Sequence, residues 1–206
     1  MYKKQMIFQR VVCIFVLAAS AIVFIYSLGL LTDIYGSLAS AIDLDLSKYD
    51  DNGNVIEYAE KIKGAVIYYD MQEFNSQLTL VGIGLIIVSL VLFVFGTNSR
   101  RRYYVGNFFS VVLSVAACGA SAFWALPLVE KYKQQFLTTV DFEQMKEFSE
   151  FWNTTYTEST FWFDLGYYVF ALLAVANVLL VINLVLKLIL MREEKRTIGS
   201  RKDVRA

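Results

Sequence analysis

Four stretches without a charged residue dominate this chain: Val11 to Leu31, Leu78 to Gly96, Tyr103 to Val129 and Leu165 to Leu186. Coiled into a helix that rises 1.5 Å per residue, each is long enough to cross roughly 30 Å of hydrocarbon. The runs are continuously apolar, whereas a membrane β-strand alternates polar and apolar residues over about ten positions. Helices are therefore expected. With 57% hydrophobic and only 18% charged residues, the chain also exceeds the apolar share of an ordinary soluble domain and falls short of its charged share. The expected fold is an all-α integral membrane protein with transmembrane helices at 11–31, 78–96, 103–129 and 165–186. These should form a left-handed four-helix bundle.

The formal net charge of zero hides a partition. Residues 1–10 carry Lys3, Lys4 and Arg10, and the turn at 97–102 carries Arg100, Arg101 and Arg102. The tail at 187–206 is also basic, while the longer connections at 32–77 and 130–164 are acidic. By the positive-inside rule both termini and the arginine turn face the cytoplasm, and the acidic connections face outward. The expected location is the cell membrane, multi-pass. "MYKKQMIFQR" before an apolar run also has the outline of a signal peptide, but 21 apolar residues exceed the 7 to 15 or so of an h-region, so the first span is expected to be retained.

Chemistry-bearing residues are sparse. The chain has no histidine, which removes His-ligated haem, His-based zinc sites and a Ser/His/Asp triad. Cys13 and Cys118 lie within spans and form no Cys-x-x-Cys pair, so neither a disulfide nor quinone-linked thiol chemistry is expected. No metal or cofactor is implied. No acidic or basic residue lies deep within a span, and such residues are what ion-coupled transport and proton relays ordinarily use.

Both acidic connections read as partly helical. After Gly53, the residues Val55, Ala59, Ile62, Val66 and Tyr69 recur at steps of four and three, the spacing of an amphipathic helix that could run into the second span. Gly64 is the one local break. In the second connection Asp141 and Gln144 resemble a capping box ahead of a stripe of Phe142, Met145, Phe148 and Phe151 or Trp152. A lone helix with that face is unstable in water, so the two connections are expected to pack together as a small extracytoplasmic helical cap. "DLDLSKYDDNGN", Asp43 to Asn54, fails as an EF-hand: with Gly53 at the sixth position, Lys48 occupies the first and Ala59 the twelfth. It reads as a turn, Asn and Gly tolerating positive φ.

Within the spans, small or polar residues recur at seven: Cys13, Ser20 and Ser27; Gly82, Ser89 and Gly96; Asn107, Ser114 and Ser121; Ala176 and Asn183. Small residues admit close helix approach, and a heptad period favours left-handed packing. Asn177, Asn183, Ser114 and Ser121 are the candidate interhelical polar contacts. Phe142, Met145, Phe148, Trp152, Phe161 and Trp162 are the candidate surface for a partner or lipid. Arg100, Arg101 and Arg102 are expected to touch anionic headgroups at the cytoplasmic face. Pro127, the single proline, is compatible with a kink or a stop.

Elimination then points to a non-enzymatic interaction protein, an accessory or scaffold subunit of a larger membrane assembly. Its partners would be the bilayer and another membrane protein or a second copy, with no nucleic acid. A channel or carrier subunit for a small or lipidic solute is the alternative. A lipid-directed enzyme using outer acids such as Asp164 or Glu158 is the third reading.

Overall fold

A computed structural model describes residues 2–31, 35–97 and 105–203. Helix accounts for 79% of the described residues. The elements run α1 (Tyr2–Ser27), a 3-10 turn (Leu28–Leu31), α2 (Gly36–Ser40), β1 (Ile42–Tyr49), β2 (Val55–Glu60), α3 (Ile67–Thr97), α4 (Val105–Thr139), α5 (Phe142–Trp152) and α6 (Phe161–Asp203). Four segments are long and apolar enough to cross a membrane: Lys4–Ser27, Ile67–Gly96, Phe108–Thr139 and Phe161–Glu193. That is the make-up of a multi-pass membrane protein.

Each of these helices extends beyond its apolar stretch at one end or both, because the flanking residues are themselves helix formers. Gln72 and Glu73 extend α3 backwards, and Glu130 to Gln135 extend α4 forwards. Pro127 does not stop α4, which continues to Thr139. The ring removes one amide donor, but the helix resumes beyond it. Arg100, Arg101 and Arg102 lie outside the described residues.

The chain groups into two compact units. The first comprises Met1–Val23, Val81–Phe123 and Val169–Ala206. Here α1 and α3 meet through the small residues of the heptad pattern. The Ser20 and Ser89 hydroxyls lie 2.7 Å apart, and Cys13 Sγ donates to the Leu92 carbonyl at 3.9 Å. A methyl group added at Gly96 would sit 2.8 Å from Cys13 Sγ, so only a glycine lets the backbone come this near. In lipid, apolar burial does not itself drive helices together, and close backbone approach supplies the dispersion contact that does.

The second unit comprises Phe24–Leu80 and Trp124–Tyr168. It corrects the reading of the first connection: Val55–Glu60 is not helical but pairs antiparallel with Ile42–Tyr49. Two local causes select the hairpin. Asp50 accepts hydrogen bonds from the Asn52 and Asn54 amides at 3.0 and 2.6 Å and from Asn54 Nδ2 at 3.0 Å, closing the turn, while Gly53 adopts φ +82°. Gly64 adopts φ +85°, which ends any helix attempting to pass it, so α3 begins only at Ile67. Glu60 then covers the start of α3, accepting from the Val66 amide at 2.8 Å. The fold is therefore not purely α.

Register shifts separate Asp43 from Lys48 on β1, because Asp43 faces Ala59 and Lys48 faces Glu57. Leu44 to Ser47 thus oppose Tyr58 alone; Leu44, Asp45 and Leu46 are exposed, the Asp45 amide donating to Asp43 Oδ1 at 3.1 Å, while Ser47 is buried, its Oγ donating to the Asp43 carbonyl at 2.7 Å and accepting from the Ala59 amide at 3.0 Å. Leu46 is left 75% exposed.

The two connections are tied together. The Ser37 amide donates to the Thr155 carbonyl at 3.1 Å, its hydroxyl meets Thr154 Oγ1 at 3.0 Å, and the Asp141 amide donates to the Lys63 carbonyl at 3.2 Å. Asp141 caps α5 by accepting from the Gln144 amide at 3.1 Å, and Asn153 closes the helix in the left-handed region at φ 52°. Phe136 and Phe163, both fully buried, lie 5.6 Å apart at the centre, with Tyr35 and Phe142 edge-on to Phe136 at 5.4 and 5.2 Å.

Candidate functional site

In the first unit, amide side chains at one end of α1, α3 and α6 form a buried chain. Gln5 Nε2 donates to Gln9 Oε1 at 3.0 Å and to Asn183 Oδ1 at 3.1 Å, and Gln9 Nε2 donates to the Gly96 carbonyl at 2.6 Å. The Gly96 carbonyl belongs to the last turn of α3, where no helical donor remains for it, so Gln9 serves as its cap. All three amide residues are buried, at 6% exposure or less.

One turn beyond Asn183 on α6 lies Lys187, the first residue of the basic tail at 187–206. Lys187 is only 6% exposed and sits within the apolar span Phe161–Glu193. Its ammonium lies 4.7 Å from the centroid of the Phe108 ring and has no hydrogen-bond partner among the described residues. The aromatic face offers partial compensation for a buried cation, of about 1 to 2 kcal/mol. Against the desolvation of a charge this is small, and a buried ionisable group in a span is a mark of function.

Beside the amide chain, α1 and α6 leave an open groove of about 420 Å³. Phe8, Leu186, Ile189 and Leu190 form its walls, and Lys4, Gln5 and Glu193 its polar end. On α6 the lining positions are spaced i, i+3, i+4 and i+7, a single helix face.

Of the expected interhelical polar contacts, Asn183 makes one. Ser114 is buried but donates back to the Ser110 carbonyl of its own helix at 2.8 Å. Ser121 is half-buried. Asn177 packs its amide against Gly119, 3.0 Å from where a side chain there would begin, and its buried Oδ1 has no hydrogen-bond partner among the described residues.

The expected aromatic surface divides. Met145 and Trp162 are core rather than surface, at 2% and 3% exposure, and Trp162 stacks on Tyr26 at 4.8 Å. Phe142 and Phe148 are half-buried. Trp152 and Phe161 are exposed at 59% and 67%, as is Phe151, which lies 5.2 Å from Trp152. The buried face of α5 runs through Met145 and Ser149, one helical turn apart, and Phe151 and Trp152 lie off it.

The outer acids proposed for lipid chemistry are held in local contacts. Asp164 accepts from Lys133 Nζ and from Thr160 Oγ1, each at 2.8 Å, and Glu158 accepts from the Tyr156 hydroxyl. Burial, then the Glu158 hydrogen bond and charge, push the Tyr156 phenol up to about 12. Among the described residues no group of three or more Cys, Asp or Glu is placed to hold a metal ion.

The amide chain and Lys187 escaped the sequence reading because Gln5 and Gln9 lie before the first uncharged run and Lys187 just after the last. The available signal was spacing: Gln5 and Gln9, like Asn183 and Lys187, are one helical turn apart and share a face. Comparison with protein families, curated proteins and solved structures finds no match to this chain.

Proposed function

We infer that the chain is a non-enzymatic membrane protein that serves as an accessory or scaffold subunit of a larger membrane assembly. The reading places both termini and the arginine turn in the cytoplasm of the cell-membrane-embedded protein, on the charge partition, with a left-handed bundle and an extracytoplasmic cap built from the two connections. One observation carries it. The cap leaves apolar surface bare outside the apolar spans, with Phe151 and Trp152 at the end of α5 and Leu44, Leu46 and Ile56 on the hairpin. Exposed aromatic and aliphatic groups rimmed by acids such as Asp45, Glu147 and Glu150 are the composition of an interaction surface.

The test is purification of the tagged full chain in mild detergent, followed by mass measurement of the intact complex. A stoichiometric membrane-protein partner or a second copy is expected, lost from a Phe151→Ser/Trp152→Ser variant whose thermal unfolding is unchanged. Recovery of a lone monomer from the wild type would overturn the reading. Solute flux from liposomes holding only this chain would favour the transport alternative.

A further inference from the structure

The exposed side of α5 carries two parallel stripes. Glu143, Glu147 and Glu150 stand at i, i+4 and i+7, on the side away from the buried Met145 and Ser149, and cover about 10 Å of helix at 1.5 Å per residue. All three are exposed, and none has a hydrogen-bond or ion-pair partner among the described residues. Between them and the buried face run Phe148, Phe151 and Trp152. The Phe148 and Phe151 rings lie 6.2 and 5.2 Å from that of Trp152, so the three form one aromatic group.

The pair of stripes is selective in what it can meet. Seating the rings in lipid would draw the neighbouring glutamates out of water with no cation to receive them. A second copy fits no better: each α5 sets only Lys146 against its three glutamates, so two such faces brought together oppose like charges. Arginine answers both stripes at once, because its guanidinium pairs with carboxylates through a fork of N–H donors and stacks flat on aromatic rings. Lysine is a strongly hydrated point charge and does only the first of these well. The carboxylates follow the period of a helix, and their complement is a row of the same spacing on another helix laid along α5.

We propose that this face of α5 docks an arginine-bearing helix of a different protein, with guanidinium groups on Glu143, Glu147 and Glu150 and apolar neighbours on Phe148, Phe151 and Trp152. The proposal rests on the reading of the chain as an interaction subunit and names the chemistry of its partner. It does not depend on which side of the membrane α5 occupies.

The test uses the full chain in nanodiscs of choline phospholipid, with the signal of empty nanodiscs subtracted. It is titrated with a fluorescein-labelled helical peptide bearing arginine at i, i+4 and i+7 beside a leucine stripe, and with the same peptide carrying lysine or glutamine at those positions. The glutamine peptide should bind about tenfold more weakly than the arginine peptide, the combined worth of three exposed ion pairs, and the lysine peptide about threefold more weakly. Glu147→Gln/Glu150→Gln and, separately, Trp152→Ser should each weaken the arginine peptide about fivefold with thermal unfolding unchanged. Asp51→Asn/Glu73→Gln removes the same two charges away from α5 and should leave binding as it was. Equal weakening by the two charge pairs would mean attraction to net charge only and overturn the site, as would binding indifferent to Trp152→Ser. Equal affinity for the arginine and glutamine peptides would overturn the cationic assignment. A natural partner that co-purifies with the chain and survives all the α5 substitutions would overturn this docking face while leaving the accessory-subunit reading standing. Tight, α5-dependent peptide binding by a chain that purifies as a lone monomer would do the reverse.

Discussion

Ser20 on α1 and Ser89 on α3 face one another with their hydroxyl oxygens 2.7 Å apart. Each hydroxyl also reaches back to its own helix, Ser20 to the Val16 carbonyl at 2.8 Å and Ser89 to the Leu85 carbonyl at 2.6 Å. Two protons serve three contacts, so one hydroxyl donates across the interface while the other keeps its backward bond. In the second unit Thr79 Oγ1 lies 3.1 Å from Ser27 Oγ, one heptad further along α1, and in the first unit Gly96 admits Cys13 one heptad the other way.

This seam should not tolerate bulk. Gly96→Leu is expected to lower stability by about 1 to 3 kcal/mol through overpacking against Cys13 and Gln9. Gly84→Leu, on the same helix with nothing within 4 Å of an added Cβ, should leave unfolding in detergent unchanged. Equal effects from the two substitutions would mean that α1 and α3 do not pack as described.

Lys187 should be a stability cost retained for another reason. Lys187→Met keeps the length and the contact with Phe108 while removing a buried ammonium with no hydrogen-bond partner among the described residues, and should stabilise the protein by about 1 to 3 kcal/mol. Thermal unfolding of the purified variant decides the sign. A fall in unfolding temperature would show that the cation is satisfied within the chain.

The two left-handed glycines should differ sharply when given a side chain. At Gly53, φ +82°, the space around the new methyl is open, so Gly53→Ala should cost only the conformational strain of about 1 to 2 kcal/mol. At Gly64, φ +85°, the same methyl would lie 2.4 Å from the Thr139 carbonyl oxygen. Gly64→Ala should therefore cost more than Gly53→Ala and loosen the tie between the connections, read as faster amide exchange at Asp141.

The hairpin turn should weaken in acid. Hydrogen bonds from the Asn54 side chain and backbone, then from the Asn52 and Gly53 amides, hold the Asp50 carboxyl below the usual aspartate range. A depressed folded value means the contribution is fully present above the unfolded pKa and is lost as pH falls through the folded one. Amide exchange at Asn52 and Asn54 should accelerate below the ordinary carboxylate range in the wild type, and should already be fast at neutral pH in Asp50→Ala. A flat acid profile for the wild type would remove Asp50 from this role.

Four apolar runs were enough to determine that the chain is predominantly helical and has helices able to cross a membrane, because the length of an uncharged stretch against the thickness of hydrocarbon is a one-dimensional measurement. The Asp141 cap of α5 was equally local. The hairpin was not: Val55, Ala59 and Ile62 satisfy a helical period, and only the φ values of Gly53 and Gly64, one of them bound to a close approach by Thr139, decide against it. Nor could periodicity tell that Trp162 is core while its neighbour Phe161 is exposed, or that Lys187 is buried over Phe108. Those outcomes depend on which side of each helix meets another part of the chain, a property of residues far apart in sequence that three-dimensional packing alone settles.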